Sequence, residues 1–194
     1  MFKVDAIILE KVQVRDKKIG VHLFTREYGK VFCWYNKKSF QHDIGDIVCL
    51  YIERNEWNNA IKNISSSIWV PLENWSYSGL YNFMEIVWLF GKGIADGDPH
   101  VSIFDDYKNL LMSIRLWIRL EKYHYDLYKF RILKHLWVIH ISEKDISPVI
   151  NYIHTNISKV PINTLISSKK IQDHDALLIE RINLKALHEV QKTL

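Results

Sequence analysis

The first third of the chain alternates between apolar and polar positions, which is the pattern of β-strands that bury one face. In the clearest run, Val21, Leu23 and Thr25 alternate with His22 and Phe24. Short polar or glycine-containing turns separate this run from the other apolar runs. Those runs lie at residues 6–9, 31–35, 47–52, 60–64 and 68–70. Five or six short strands in succession predict a small β-barrel.

Two glycines stand where the chain must reverse direction. Gly29 lies in the turn at 26–30 and is free to take the positive φ of a tight turn, and Gly45 lies in a turn at 44–46. Short strands with this spacing fit a Greek-key barrel of the oligonucleotide-binding (OB) type. We therefore predict an OB-fold nucleic-acid-binding domain over residues 1–72.

Beyond Pro71 the apolar positions recur at helical spacing. The first predicted helix begins near Gly79 and ends at Gly91 or Gly93. Further helices are predicted over 104–118, 126–140, 149–153 and 177–187. The predicted fold class is thus α+β, with an N-terminal OB-fold barrel followed by an all-α helical domain over 73–194.

Composition narrows the class of protein. With 194 residues, of which 48% are hydrophobic, the chain can bury one large core or two small ones. The net charge of +4 permits a phosphate-bearing partner without requiring one. No apolar run is long enough to span a membrane, and the first residues do not resemble a signal peptide. Cys33 and Cys49 are the only cysteines, and we expect them to be reduced, buried thiols of a cytoplasmic protein.

Cations collect at the predicted barrel turns, close to two aromatic residues. Cations neutralise phosphates and flat rings stack on unpaired bases, so the combination is typical of nucleic-acid binding. The alternative is that the lysines only keep strand edges soluble and that Trp34 faces the barrel interior. The candidate DNA-binding residues are Lys17, Lys18, Arg26, Lys30, Trp34, Tyr35, Lys37 and Lys38.

A second basic region covers the two central helices. Between residues 107 and 136 only Glu121 and Asp126 are acidic. Such a region is either a solvated helix surface or a site for an acidic partner, which would be a phosphate or a peptide. Its cations are Lys108, Arg115, Arg119 and Lys122 at helical spacing, followed by Lys129, Arg131 and Lys134.

The residues that could carry catalysis or hold a metal are dispersed. The nine histidines lack metal-binding spacing, and two cysteines are too few for a cysteine-based zinc site. No catalytic or phosphate-loop motif is present. Asp105 and Asp106 at a helix start are either carboxylates that favour the helix dipole or the acidic pair of a nuclease. We expect no cofactor, no metal and no enzymatic activity.

Several blocks of the sequence resemble RecO, the bacterial recombination mediator. The strand at 6–9 and the hairpin at 23–30 are similar to the family's AIVL and LFTREHGK-like segments. Three helical segments resemble its LY…E, LFD and LRRFEL blocks in the same order, and they lie at 77–85, 103–107 and 127–133. The resemblance covers residues 1–140, which gives a family-like helical core at 76–140 and divergent helices at 141–194. The chain lacks the four-cysteine zinc module of many relatives and a recognisable closing LKSREL segment.

The resemblance implies a non-enzymatic mediator of DNA recombination and repair. Such a protein binds single- and double-stranded DNA, anneals complementary strands, and acts with single-strand-binding protein and RecR to help load recombinase. It would be cytoplasmic and associated with the nucleoid. Two rival functions stay open: a structural adaptor whose basic helices bind only acidic protein tails, and a metal-dependent nucleic-acid enzyme. The acidic C-terminal tail of single-strand-binding protein would bind the helical domain through Arg115, Arg119, Lys122, Lys129 and Arg131.

Overall fold

The structure is a computed structural model, which describes most of the backbone in eleven ranges. The strands are β1 Phe2–Arg15, β2 Lys18–Thr25, β3 Gly29–Asn36, β4 Ile47–Arg54 and β5 Asn59–Ile68. The helices are α1 Tyr77–Gly93, α2 Val101–Arg115, α3 Lys122–His135, α4 Pro148–Asn156 and α5 Asp173–Lys192. The described residues are 1–15, 17–54, 59–69, 75–115, 120–136, 138–141, 147–157, 159–160, 162, 164–165 and 173–192, without the side chains of 13–15, 37 and 173.

The five strands form one sheet that closes into a barrel in the order β1-β2-β3-β5-β4. The long strand β1 makes closure possible, because its first half pairs with β4 and its second half with β2. Register shifts between Ile8 and Glu10 and between Gln13 and Arg15 bend it. A parallel pairing of Trp34 with Ala60 joins β3 to β5. The predicted α+β class, a strand-rich first part followed by helices, is therefore confirmed.

The alternation seen in the sequence builds the barrel interior. One face of each strand supplies the buried apolar side chains of the barrel interior. The strand predicted at 60–64 and Ile68, the first residue of the strand predicted at 68–70, belong to one strand, β5. The pairing of β4 with β5 shifts register twice, and residue 70 lies outside the described part of the structure. The interior consists of Val4, Ala6, Ile8, Val21, Leu23, Cys33, Val48, Leu50, Ile52 and Ile61.

Both predicted turn glycines adopt positive φ, 67° at Gly29 and 92° at Gly45. Gly29 is also packed closely, because a Cβ atom added there would lie 2.4 Å from the backbone nitrogen of Asp98. The segment after α1 thus lies against the β2–β3 turn, where the Gly97 N–H donates to the Lys30 carbonyl oxygen at 3.3 Å.

Helix α2 belongs with the barrel. The contacts divide the chain into one compact unit of residues 1–75 and 94–118 and a second of 76–93 and 119–194. Our predicted boundary between residues 72 and 73 instead assigned every helix to one domain. The reason is long-range packing: the Phe104 ring lies 6.2 Å from that of Phe24, and the Tyr107 hydroxyl donates to the Gly45 carbonyl oxygen at 2.5 Å.

The second unit contains α1, α3, α4 and α5, with α3 in its interior. Every residue of 125–133 on α3 is buried, so this helix has no solvent face and no amphipathic pattern. Without an amphipathic pattern the sequence does not indicate where the helix begins and ends. The structure places α3 at 122–135, whereas 126–140 was predicted. Among the described helices, none has the length and apolar character needed to cross a membrane.

Candidate nucleic-acid interface

A groove of about 250 Å³ opens at one end of the barrel. The β1–β2 turn supplies two lysines, the end of β3 two rings and an amide, and the start of β5 a third lysine. Cations and rings thus meet where the β1–β2 turn, the end of β3 and the start of β5 come together. The lining residues are Lys17, Lys18, Trp34, Tyr35, Asn36, Ala60, Ile61 and Lys62.

Strand pairing brings these residues together from three separate segments. Lys18 pairs with Asn36 across β2 and β3, and Trp34 pairs with Ala60 across β3 and β5. Four of the predicted DNA-binding residues therefore line one groove: Lys17, Lys18, Trp34 and Tyr35.

Trp34 and Tyr35 point to opposite faces of β3, as neighbours in a strand must. Tyr35 packs against the barrel interior, and its ring lies 5.5 Å from that of Phe40. Trp34 faces outward, with its ring 5.0 Å from the Phe32 ring. The alternative that Trp34 is an interior residue is therefore wrong, and Tyr35 is the ring anchored in the core.

The groove is basic at its rim. Lys17 and Lys18 are exposed, and neither forms an ion pair with another described residue. Lys62 contacts Glu53 at 2.6 Å and by this hydrogen bond lowers the pKa of the Glu53 carboxyl. Sequence reasoning missed Lys62, because nothing local shows that the start of β5 lies beside the end of β3.

Two predicted DNA-binding cations lie at the other end of β3, where each forms an ion pair within the barrel unit. The Arg26 guanidinium donates to both carboxylate oxygens of Asp105, at 2.9 and 3.0 Å, and this contact lowers the pKa of the Asp105 carboxyl. Lys30 contacts Asp96 at 3.2 Å. Placing Arg26 and Lys30 in one DNA site with Lys17 and Lys18 was wrong, because the groove lies beyond the opposite end of the strand.

The remaining candidate cations of the barrel follow β3 directly. Lys38 is exposed, and its backbone N–H donates to the Asn36 side-chain oxygen at 3.2 Å. The side chain of Lys37 lies outside the described part of the structure. Lys38 thus flanks the groove residue Asn36 but does not line the groove.

The predicted partner-binding cations do not form one surface. Lys129 and Arg131 are each only 5% exposed. Lys129 contacts Asp126 at 2.8 Å and Glu85 at 2.9 Å, and Arg131 donates to the Val160 carbonyl oxygen at 2.9 Å. Both were predicted at an accessible surface, whereas the structure buries them, because every residue of 125–133 on α3 is buried.

The other three predicted partner-binding cations have different surroundings. Arg115 is exposed at the end of α2 and belongs to the barrel unit. Lys122 is in the helical unit, where it contacts Glu180 at 2.7 Å and Asp126 at 3.3 Å. Arg119 lies outside the described residues.

A second groove, of about 300 Å³, lies in the helical unit. Three isoleucines and two histidines line most of it, and burial together with nearby Lys134 lowers the pKa of His154. The described residues that line it include no lysine or arginine, so this described lining does not fit a phosphate backbone.

The two carboxylates of the acidic pair have different surroundings. Asp105 is held by Arg26, whereas Asp106 is buried. Among the residues that the structure describes, no three His, Cys, Asp or Glu side chains are grouped so that they could hold a metal ion. The absence of a metal and of a reaction stays a prediction from the sequence.

The fold and the groove together define an α+β chain whose five-strand barrel carries a basic, aromatic groove at one end. No protein-family model matches the sequence, and no curated protein is significantly similar to it.

Proposed function

We propose that this protein binds nucleic acid through the groove of an OB-type barrel and promotes the annealing of complementary strands without a chemical step. The observation that carries the proposal is the meeting of Lys17, Lys18 and Trp34 in one groove. In OB folds the first and fourth inter-strand loops and the sheet face between β2 and β3 bind oligonucleotides. The groove occupies the corresponding place in the order β1-β2-β3-β5-β4.

The proposed action follows from charge and ring chemistry. Lysines at the rim neutralise phosphates and release counterions, while Trp34 stacks on an unpaired base. Neutralised strands repel one another less, so complementary bases pair faster. The proposed step needs neither metal nor nucleotide, so the proposed protein is a mediator and not an enzyme.

The resemblance to RecO supports a wider proposal. In it, the protein acts in recombinational repair together with single-strand-binding protein and RecR. Burial of Lys129 and Arg131 leaves Lys122 of the helical unit as the described candidate there for an acidic tail. A structural adaptor would bind such tails and no DNA, so DNA binding separates the two functions.

The double charge reversal Lys17→Glu and Lys18→Glu tests the proposed function. If the parent neutralises about four to six phosphates, log affinity for an oligonucleotide falls with log salt at a slope of about −3 to −5. We expect the variant to bind more weakly to all sequences and to have a slope shallower by about 2. The measurement is fluorescence anisotropy of a labelled oligonucleotide over a series of salt concentrations, with annealing of complementary strands measured in parallel.

A matched control reverses two exposed lysines of the helical unit, Lys92→Glu and Lys159→Glu, and so changes the net charge equally. We expect this control to keep the parent's slope and annealing rate. Equal losses in both variants would show that net charge acts alone, and unchanged binding in the groove variant would refute the groove.

A further inference from the structure

Three rings form a row on the outer face of β2 and β3. The His22 and Phe32 rings lie 4.7 Å apart, and the Phe32 and Trp34 rings lie 5.0 Å apart. His22 pairs with Phe32 in the register of these strands. Their strand neighbours Val21 and Cys33 face inward, so the row is opposite to the barrel interior.

A glycine makes room for the central ring. Gly20 pairs with Trp34, and a Cβ atom added to it would lie 2.5 Å from the Phe32 ring. The Phe32 ring therefore leans across the sheet onto the bare backbone of Gly20. By itself such a ring only shields a glycine in a sheet, but here it connects His22 to the Trp34 that lines the basic groove.

The row has two defined ends. At the groove end Lys18 pairs with Asn36, and Lys18 is exposed. At the other end Phe24 is fully buried, with its ring near that of Phe104, so α2 covers the outer face there. The open part of this face thus offers cations at one end and three rings, which is a short track for a strand with exposed bases.

We infer that the row of His22, Phe32 and Trp34 is a stacking surface that selects single-stranded over double-stranded nucleic acid. The inference rests on the proposed function and names the substrate class of the same barrel. A ring can stack only on an unpaired, accessible base, and such stacking tolerates any sequence. In a duplex the bases are covered by their neighbours, so a duplex contacts the lysines but not the rings.

The experiment compares the Trp34→Leu and Phe32→Leu proteins with the parent on a labelled single strand and on a duplex of equal length. We expect each variant to lose about fivefold or more in affinity for the single strand. Duplex affinity should change less than about twofold, and the salt slope should be unchanged, because no phosphate contact is removed.

Two further variants keep the result interpretable. Trp69→Leu removes an exposed tryptophan of the same barrel outside the row and should leave the preference for single strands intact. Trp34→Phe keeps a ring and should therefore retain most of the binding. It replaces Trp34→Leu as the informative variant if leucine at this position disturbs folding, which urea unfolding monitors.

The outcomes separate the two proposals. Equal losses on single strand and duplex in folded variants, or a loss in Trp69→Leu as large as in Trp34→Leu, would overturn the stacking surface while the groove stands. A parent protein that binds neither nucleic acid would overturn the proposed function itself, and the stacking surface with it.

Discussion

At the scale of the residue, the direction in which a strand side chain points determines whether it belongs to the barrel interior or to the outer face. Trp34 and Tyr35 are adjacent in the sequence, yet one contacts the Phe32 ring outside the barrel and the other packs against the interior. The same rule places Cys33 inside, between two outward rings. Strand alternation therefore assigns Trp34 to the outer face and Cys33 and Tyr35 to the inner one, a distinction that residue type alone does not make between Trp34 and Tyr35.

Burial makes the Cys33 thiol unreactive, because desolvation of the thiolate raises its pKa to about 12. Thiolate is the reactive form. We expect that at about pH 8 a disulfide reagent will leave Cys33 unmodified in the native protein, whereas partly exposed Cys49 reacts first. Mass analysis of modified peptides, with and without denaturant, measures this. The Cys49→Ser protein is the control, and rapid native labelling of Cys33 in it would contradict the burial.

At the scale of the element, α2 is held to the barrel by contacts of different kinds. The Phe24 and Phe104 rings supply apolar contact, and the Tyr107 hydroxyl binds the Gly45 carbonyl oxygen. Arg26 adds a bidentate contact to Asp105. These contacts occupy the face beyond the ring row, so α2 fixes where the proposed nucleic-acid track ends.

The Arg26–Asp105 pair predicts a pH-dependent stability. Arg26 lowers the pKa of Asp105 below its ordinary value of 3.8, so the pair contributes stability above that value and loses it as pH falls through the lower, folded pKa. We expect Asp105→Asn to lower the free energy of unfolding by about 0.5–1 kcal/mol at neutral pH, since both partners are partly exposed. Urea unfolding at neutral and acidic pH measures this.

The difference between the Asp105→Asn and parent proteins should shrink as the pH falls below the folded pKa of Asp105. Asp96→Asn is the matched control, because Asp96 is 89% exposed and its contact with Lys30 should contribute less. A difference that persisted at acidic pH would show that Asp105 acts by packing and not by charge.

At the scale of the whole molecule, the chain contains two compact units whose interiors differ in polarity. The barrel interior is apolar. The helical unit encloses a polar network in which Lys129 contacts Asp126, Glu85 and the Asn82 side-chain oxygen. Buried charges are tolerated only when they are paired, so this network is a strict requirement of the second unit.

Removing Lys129 should strongly destabilise the helical unit. In Lys129→Met the buried carboxylate of Asp126 loses its shortest ion pair, and breaking a buried pair on one side costs about 3 kcal/mol or more. The matched control is Lys122→Met, which removes a half-exposed lysine from the same network and should cost at most about 1 kcal/mol. Urea unfolding monitored by helical circular dichroism measures both, and equal stability of the two variants would contradict the assignment.

The sequence by itself determined the features that arise from neighbouring residues. Alternation at Val21, Leu23 and Thr25 predicted a strand, because side chains in a strand point to opposite faces with a period of two. Gly29 and Gly45 predicted turns, because positive φ is a local property of glycine. The same local reasoning proposed Lys17, Lys18, Trp34 and Tyr35 as binding candidates, and these lie in the β1–β2 turn, at the start of β2 and near the end of β3.

Only the tertiary structure decided what depends on distant segments. Arg26 and Asp105 are 79 positions apart. The residues around each of them therefore did not show that Arg26 binds α2 or that α2 belongs to the barrel. Lys62 joins the groove through the pairing of β3 with β5, and Lys129 and Arg131 are buried because other elements of their unit surround α3. A local pattern sets the direction of a side chain, but what that side chain meets is determined by long-range packing.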